Sequence, residues 1–326
     1  MYRTITSTVD SARDLAKKLW APKNPSTANT VQCLHEGIHP MPEENVMGPG
    51  RDRAFKLPQY FAHMGDTRTA FFDAGEGEPV IFIHGLAANL THWVHIAPHF
   101  SRRFRVLGID LPGCGESAEL SNGFSVDNFR EHIIRWMDYL EIEKATIVGH
   151  SLGGMITTSL AIEYPDRIKS AVLVNPAGVQ PMPLPFRVGG QIILRDQILS
   201  VILPRVWKGL LGQVFGVENR FTEGFYKTCE ETFDDNDVYG IAKIIAGLRD
   251  DILEKDFAKL LGEIMVPTYL VWGDKDLLVP ARLLRRAAKK FARVHAVEIK
   301  KCGHMPNIEY PFRLIHTIEQ ALKDSE

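Results

Sequence analysis

The stretch Lys144-Ala145-Thr146-Ile147-Val148-Gly149-His150-Ser151-Leu152-Gly153-Gly154-Met155 limits the possible folds more than any other part of the chain. Its first half is apolar and β-branched, which is the pattern of a short buried strand. The run breaks at Gly149, and from Met155 through Ala161 the apolar positions take helical spacing. Ser151 therefore stands at the apex of a strand-to-helix turn. Gly149 and Gly153 flank it at two residues on each side, so no Cβ blocks the close approach of strand and helix. Such a turn predicts a strained serine with its hydroxyl pushed outward. It also aims the first N–H groups of the new helix at any negative charge that forms there. Gly-x-Ser-x-Gly is a weak signal alone, and the strand before it and the helix after it give it weight.

The same strand-to-helix alternation surrounds this turn. Strands are predicted at 59–63, 69–74, 79–84, 104–109, 168–174, 267–272 and 295–299, besides the one leading to Ser151. Val80-Ile81-Phe82-Ile83 is apolar throughout, as expected of a strand covered on both faces in a parallel sheet. Helices are predicted at 126–140, 282–292 and 312–323. Between 178 and 262 the alternation stops. Pro181, Pro183 and Pro185 make a stiff lead-in, followed by helical patterns at 190–203, 206–215, 223–233 and 238–253.

The chain of 326 residues is 45% apolar, enough for one large domain with an insertion or for two small ones. Its net charge of −2 points to no nucleic-acid partner. Cys33, Cys114, Cys229 and Cys302 show no CxxC or framework spacing, so free thiols in a reducing compartment are expected. Neither a signal peptide nor an 18-residue apolar run is found, which makes a cytoplasmic protein the default. Ile5, Val9, Ala12, Ala16 and Leu19 mark an amphipathic helix. Residues 5–20 could pack on the main domain, meet a second copy in a homodimer, or lie on a membrane surface. The chain from 21 to 53 is rich in Pro, Gly and Asn and reads as an extended arm. His92, His95 and His99 share helical spacing, but no nearby Asp, Glu or Cys completes a ligand set. Neither a metal nor another cofactor is expected.

Gly-His-Ser-Leu-Gly-Gly after a strand resembles the nucleophile elbow of the α/β-hydrolase superfamily. Further segments carry the resemblance across about residues 55–322. His84-Gly85-Leu86 resembles the start of the loop that supplies half of the oxyanion hole. Asp110-Leu111-Pro112-Gly113-Cys114-Gly115-Glu116-Ser117 resembles a bracing loop beside the active site. Gly273-Asp274-Lys275-Asp276 with Pro280 resembles the acid loop, and Gly303-His304 followed by Glu309 and Pro311 resembles the histidine loop. Some members carry the acid just after the strand that here ends at Asn175. With no carboxylate there, the acid is placed downstream.

The resemblance implies a mostly parallel eight-stranded sheet flanked by helices, with an inserted helical cap. The implied divisions are residues 1–54 as helix and arm, 55–177 and 263–326 as core, and 178–262 as cap. The implied catalytic residues are Ser151 as nucleophile, His304 as base and Asp276 as the acid, preferred over Asp274. Backbone N–H groups of Leu86 and Leu152 would form the oxyanion hole, supported by His84, Gly85, Gly149, His150 and Gly153. No catalysis is assigned to Asp110. A serine nucleophile argues against haloalkane dehalogenases and epoxide hydrolases, which use Asp there. The leading expectation is a carboxylic-ester hydrolase for small to medium apolar acyl groups. The alternatives are a carbon–carbon hydrolase of the meta-cleavage-product type, an acyltransferase, or a small-molecule receptor on the same scaffold. Met305, where meta-cleavage hydrolases commonly carry Trp, weighs against the first alternative.

Overall fold

The computed structural model describes residues 37–46, 51–65, 67–233 and 235–325. The expected helix and contact surface at 5–20, and Cys33, lie outside the described residues.

Among the described residues nine strands form one sheet: β1 (Ile38–Pro40), β2 (Gln59–Met64), β3 (Thr67–Ala74), β4 (Pro79–Ile83), β5 (Arg105–Ile109), β6 (Ala145–His150), β7 (Ile168–Val174), β8 (Thr268–Gly273) and β9 (His295–Ile299). Their spatial order is β1-β2-β3-β5-β4-β6-β7-β8-β9. The pairs β1–β2, β2–β3 and β3–β5 are antiparallel, and β5–β4, β4–β6, β6–β7, β7–β8 and β8–β9 are parallel. The strand bearing Ser151 at its end thus lies near the middle. Every residue of β6 and of β8 is buried, which a parallel sheet covered on both faces requires.

The sheet has one strand more than the eight expected. The extra strand is β1, which falls in the segment read as an extended arm. Ile38 pairs with Ala62, and buried Met41 packs with Phe61 and Ala70. Pro40 is tolerated because β1 is an edge strand, where a missing N–H costs no ladder bond. The same segment sends Arg51 into the core, where its guanidinium donates to the Asp110 carboxylate at 2.8 Å with both side chains fully buried.

Helices cover both faces. On one face, Phe82, Val148, Val172 and Val271 pack with Trp93 and with Leu314 and Ile318 of the closing helix, Pro311–Lys323. On the other, α1 (Val126–Tyr139) turns Val126, Phe129, Ile133, Trp136 and Met137 inward at helical spacing. Its start is fixed by Ser125, whose hydroxyl accepts the Asn128 N–H at 3.0 Å.

Between β7 and β8 the chain leaves the sheet and forms α2 (Leu184–Ile193), α3 (Asp196–Leu211), α4 (Arg220–Thr232), α5 (Asp235–Gly247) and α6 (Arg249–Glu254). The two ends of this insertion are tied, since Phe257 N–H donates to Gly178 O at 2.7 Å. The helix expected over 190–203 is broken at Leu194–Arg195 and the one expected over 238–253 at Leu248, and two helix limits differ from expectation at prolines. First, α2 begins directly after Pro183, six residues earlier than predicted, with Pro185 in its first turn, where a missing N–H has no helical partner to lose. Second, α3 runs through Pro204 instead of stopping at 203. The carbonyl of Ser200 gives up its helical donor there, a loss that water can offset on a partly exposed helix.

Candidate active site

Ser151 sits between β6 and the helix Leu152–Glu163 with φ 53° and ψ −111°, a strained conformation for a non-glycine residue. Three backbone contacts hold it there: Ser151 N–H donates to Val174 O at 2.9 Å, and Ser151 O accepts from Met155 N–H at 3.0 Å and from Ala177 N–H at 3.2 Å. The glycines at either side are required by contact distance. A Cβ on Gly149 would lie 2.3 Å from Gly153 O, and one on Gly153 would lie 2.3 Å from Ile83 O.

His304 follows β9 in a loop that approaches Ser151 from the other side of β8. Its Nδ1 lies 2.8 Å from Asp276 Oδ2, with the histidine 7% exposed and the aspartate fully buried. That contact fixes the tautomer: Nδ1–H donates to the carboxylate, and Nε2 is left with its lone pair free. Ser151 and His304 line one cavity of about 340 Å³. The structure therefore brings Ser151, Asp276 and His304 to one place. Among the described residues the Ser151 hydroxyl has no hydrogen-bond partner, and such bonds commonly tighten only when substrate is bound.

Asp276 is held at both oxygens. Oδ1 accepts from Leu278 N–H at 2.8 Å and Val279 N–H at 2.9 Å. Oδ2 accepts from His304 and from the side-chain amide of Asn175. Burial pushes the carboxyl upward, but the His304 imidazole and these donors outweigh it, so its titration lies below the ordinary carboxylate range. Asp274 is used differently, accepting Lys301 N–H at 2.6 Å at the loop surface.

The support residues form a connected set. His150 Nε2–H donates to the His304 carbonyl at 2.7 Å, so the residue beside the serine pins the histidine loop. Burial, reinforced by the neighbouring His304, pushes His150 down to about 3, and it stays neutral. The absence of a Cβ at Gly85 makes room for that ring, which would otherwise lie 2.9 Å away. His84 accepts Leu111 N–H at Nε2, 2.9 Å, and donates from Nδ1 to Gly85 O at 2.7 Å, tying the Leu86 loop to the Asp110 loop. Asp110 itself accepts from Leu90 N–H, Glu116 N–H and Arg51, and is turned away from the cavity work. Leu86 lines the cavity beside Ser151, and Leu152 is the first residue of the following helix. Among the described residues neither N–H has an acceptor.

Two residues of the site were not singled out from the sequence for what they do. Asn175 sits at the end of β7 with φ 44° and is fully buried. A polar residue closing a buried strand beside the serine was its only signal. Glu309 accepts Gly303 N–H at 2.9 Å, Met305 N–H at 3.3 Å and Gly216 N–H at 2.8 Å, binding the histidine loop to the insertion. The backbone of His304 makes the same junction, donating to Val214 O at 2.7 Å.

The insertion lines the far wall of the cavity with Leu203, Trp207, Phe225, Val238 and Ile241. No Lys or Arg lines it among the described residues. Its remaining polar wall is His92, which burial pushes down to about 3 and which therefore presents a neutral ring. The three spaced histidines diverge: His92 packs edge-on to Phe225, His95 packs on Phe221, and His99 Nε2 meets Glu319 at 3.0 Å. Among the described residues no three His, Cys, Asp or Glu side chains are grouped to hold a metal ion. Cys114, Cys229 and Cys302 are free and buried, and burial pushes the Cys114 and Cys302 thiols well up, away from the reactive thiolate.

A mostly parallel sheet, a strained serine at a strand-to-helix turn and a histidine–aspartate pair facing it are shared with a large class of hydrolytic enzymes. The family model for the alpha/beta hydrolase fold matches residues 78–311. The chain belongs to the α/β-hydrolase family, and its hydrolase relatives imply a hydrolytic enzyme. It is 28% identical over 272 residues to the dihydrolipoyllysine-residue acetyltransferase component of the acetoin cleaving system of Pseudomonas putida, covering 82% of this chain and 70% of that one. It is 25% identical to the 2-hydroxymuconate semialdehyde hydrolase of Pseudomonas sp. strain CF600, covering 79% of this chain and 92% of the relative. Among solved structures, a membrane phospholipase A superposes with a TM-score of 0.70 at 21% identity, over 85% of this chain and 88% of that one. At that identity the likeness shows the fold. No helix among the described residues is long and apolar enough to cross a membrane.

Proposed function

We propose that the chain is a serine hydrolase of neutral carboxylic esters with an apolar acyl group. One observation carries this reading: the cavity shared by Ser151 and His304 is walled by aliphatic and aromatic side chains and by neutral imidazoles, with no cationic side chain among its described lining. An uncharged acyl chain gains by leaving water for such a wall, whereas a carboxylate would lose its hydration without a partner.

The Ser151 hydroxyl attacks the ester carbonyl carbon as His304 Nε2 takes its proton. The carbonyl oxygen becomes an oxyanion, and the N–H groups of Leu86 and Leu152 donate to it. Asp276 holds the Nδ1–H tautomer and stabilises the imidazolium. The imidazolium returns its proton to the alcohol oxygen, the carbon–oxygen bond breaks, and the acyl group remains on Ser151. Water, deprotonated by the same imidazole, then releases the acid. The helices of 178–262 act as a cap that selects the acyl chain.

A second reading, hydrolysis of a carbon–carbon bond in a vinylogous diketone, is supported by the likeness to the semialdehyde hydrolase. The products of meta-cleavage are carboxylates, and the lining offers them no cation.

A panel of p-nitrophenyl esters of rising acyl length, assayed beside a coloured dienoate, tests the choice. Ester turnover that rises with chain length, with Ser151 labelled by a fluorophosphonate, is expected. Ser151→Ala or His304→Ala should lower turnover by on the order of 10⁶. Ester turnover near wild type in either variant, or turnover of the dienoate alone, would refute the ester reading.

A further inference from the structure

The insertion carries a second feature that the cavity does not use. In α2, Leu184, Phe186, Val188, Ile192 and Ile193 are each at least half exposed, and the helix has no buried residue. In α3, Val201, Ile202, Val206 and Leu210 are exposed as well. Single exposed apolar side chains are ordinary, but nine on two consecutive helices form a patch that calls for a partner. Ile202, Val206 and Leu210 recur every four residues and so form one outward stripe. The neighbouring face of α3, with Leu203, Trp207 and Leu211, lines the cavity. Leu210 belongs to both faces, being 45% exposed and also a lining residue. Leu278 does the same from the core side at 52%, with Leu277 exposed beside it. The outer apolar surface is thus continuous with the wall of the cavity.

Charge is divided sharply along the insertion. Residues 181–215 hold Arg187, Arg195, Arg205 and Lys208 against one acid, Asp196. Residues 216–254 hold ten acidic and four basic side chains. Arg187 pairs with Glu254, but Arg195 and Arg205 donate to the carbonyls of Gln191 and Val201, and Lys208 lies over the Trp207 ring. Apolar side chains and uncommitted cations therefore share the first two helices, and the acids lie beyond them. A second copy docked through this patch by two-fold symmetry would set these cations against themselves. An anionic lipid surface satisfies both components at once. The acyl region takes the apolar side chains, and the headgroups take Arg195, Arg205 and Lys208 on stems long enough to reach them.

We propose that the helices Leu184–Ile193 and Asp196–Leu211 dock on an anionic lipid surface, and that the cavity takes the acyl chain of a lipid ester from it. The docking stands without the hydrolase reading, and the lipid substrate rests on it.

Flotation of the full chain with vesicles tests this, using equimolar phosphatidylcholine and phosphatidylglycerol against phosphatidylcholine alone. The chain should partition into the anionic vesicles, less into the neutral ones, and less as salt is raised. Phe186→Ser with Ile202→Ser should lower partitioning by about tenfold or more, and leave turnover of a soluble p-nitrophenyl butyrate unchanged, since neither residue lines the cavity. Arg195→Glu with Arg205→Glu should remove most of the salt dependence. Equal vesicle binding by the double serine variant overturns the proposal, as does absence of vesicle binding by the wild type. So does a dimer in sedimentation that the serine variant dissolves, with no vesicle binding. Vesicle binding without turnover of any ester upholds the docking surface and removes the hydrolase reading alone.

Discussion

The side-chain amide of Asn175 donates to Oδ2 of Asp276, the same oxygen that accepts Nδ1–H from His304. One carboxylate oxygen therefore stands between an amide fixed at the end of β7 and the imidazole that faces the serine. Both donors oppose the upward push of burial on Asp276. The backbone of Asn175 lies in the left-handed region, which asparagine tolerates and most other residues do not.

That conformation supplies a clean substitution. Asn175→Gly keeps the backbone at no steric cost and removes the amide, whereas Asn175→Ala adds about 1 kcal/mol of backbone strain. A hydrogen bond to a charged group contributes about 1.5–3 kcal/mol, so Asn175→Gly should lower kcat by about tenfold to a hundredfold. It should also raise the acid limb of the pH–rate profile, because Asp276 then protonates more readily. Ester kinetics across pH measure both. A fall in kcat with an unmoved acid limb would mean that Asn175 acts through packing alone.

Stability should fall in mild acid because several histidines are buried in neutral form. Burial pushes His92 and His150 to about 3 and His132 to about 4, from an ordinary 6.5. In each the folded value lies below the unfolded one, so as pH falls the unfolded chain takes up the proton first. Their contribution is complete above about pH 6.5, is lost progressively toward pH 3–4, and changes no further below that. His132 is not among the residues that line the cavity, and it meets Thr69 Oγ1 at 3.0 Å. His132→Gln keeps a polar partner and removes one titration. Between pH 7 and pH 5 the variant should lose about 1–2 kcal/mol less stability than the wild type. Urea unfolding at the two pH values gives the difference directly.

Glu309 should matter to the histidine loop as an acceptor. Its carboxylate takes the N–H groups of Gly303, Gly216 and Met305, and burial pushes its titration upward against those donors. Glu309→Gln replaces one acceptor oxygen with an NH₂ that faces a backbone N–H. A buried donor left without its acceptor costs about 1–3 kcal/mol, and the variant should be destabilised by that amount. Because the loop carries His304, kcat should fall with it. Urea unfolding read beside kcat separates the two effects: lowered stability with full kcat would show that the loop holds its position without Glu309.

The parts of this fold that were legible in the sequence are those set by local pattern. The eight longer strands were marked by apolar runs such as Val80–Ile83, and the turn at Ser151 by its spaced glycines. The elements that were not legible depend on distant partners. β1 has three residues and a proline, with no periodicity to read, and it exists because the edge of β2 offers it a ladder. Arg51 looks like a loop residue until Asp110, 59 positions later, buries it. Asn175 showed only as a polar residue closing a buried strand, because the partner that gives it its role lies 101 residues away. The helix through Pro204 defeated a rule about interior prolines, since its exposed side can be hydrated. The site followed the same division. Ser151 and the glycines beside it were readable from the segment itself, whereas Asp276 and His304 became recognisable through their resemblance to known loops, and their contact required the fold.

The glycine at 153 gives the most direct test of that turn. Its Cβ, if present, would lie 2.3 Å from Ile83 O and 2.6 Å from His84 O. Both are backbone atoms at the end of β4, and neither can yield without moving the strand that leads to Leu86. Gly153→Ala should therefore cost more than about 3 kcal/mol or prevent folding, and any folded fraction should have a displaced elbow and lowered kcat. Gly224 is the matched control. It lies in Arg220–Thr232, and a Cβ there meets nothing within 4 Å. Gly224→Ala should be neutral or add about 0.5–1 kcal/mol by helix preference. Urea unfolding of the two variants decides the matter: if both behave alike, the close approach of strand and helix at Ser151 is not what the glycine provides.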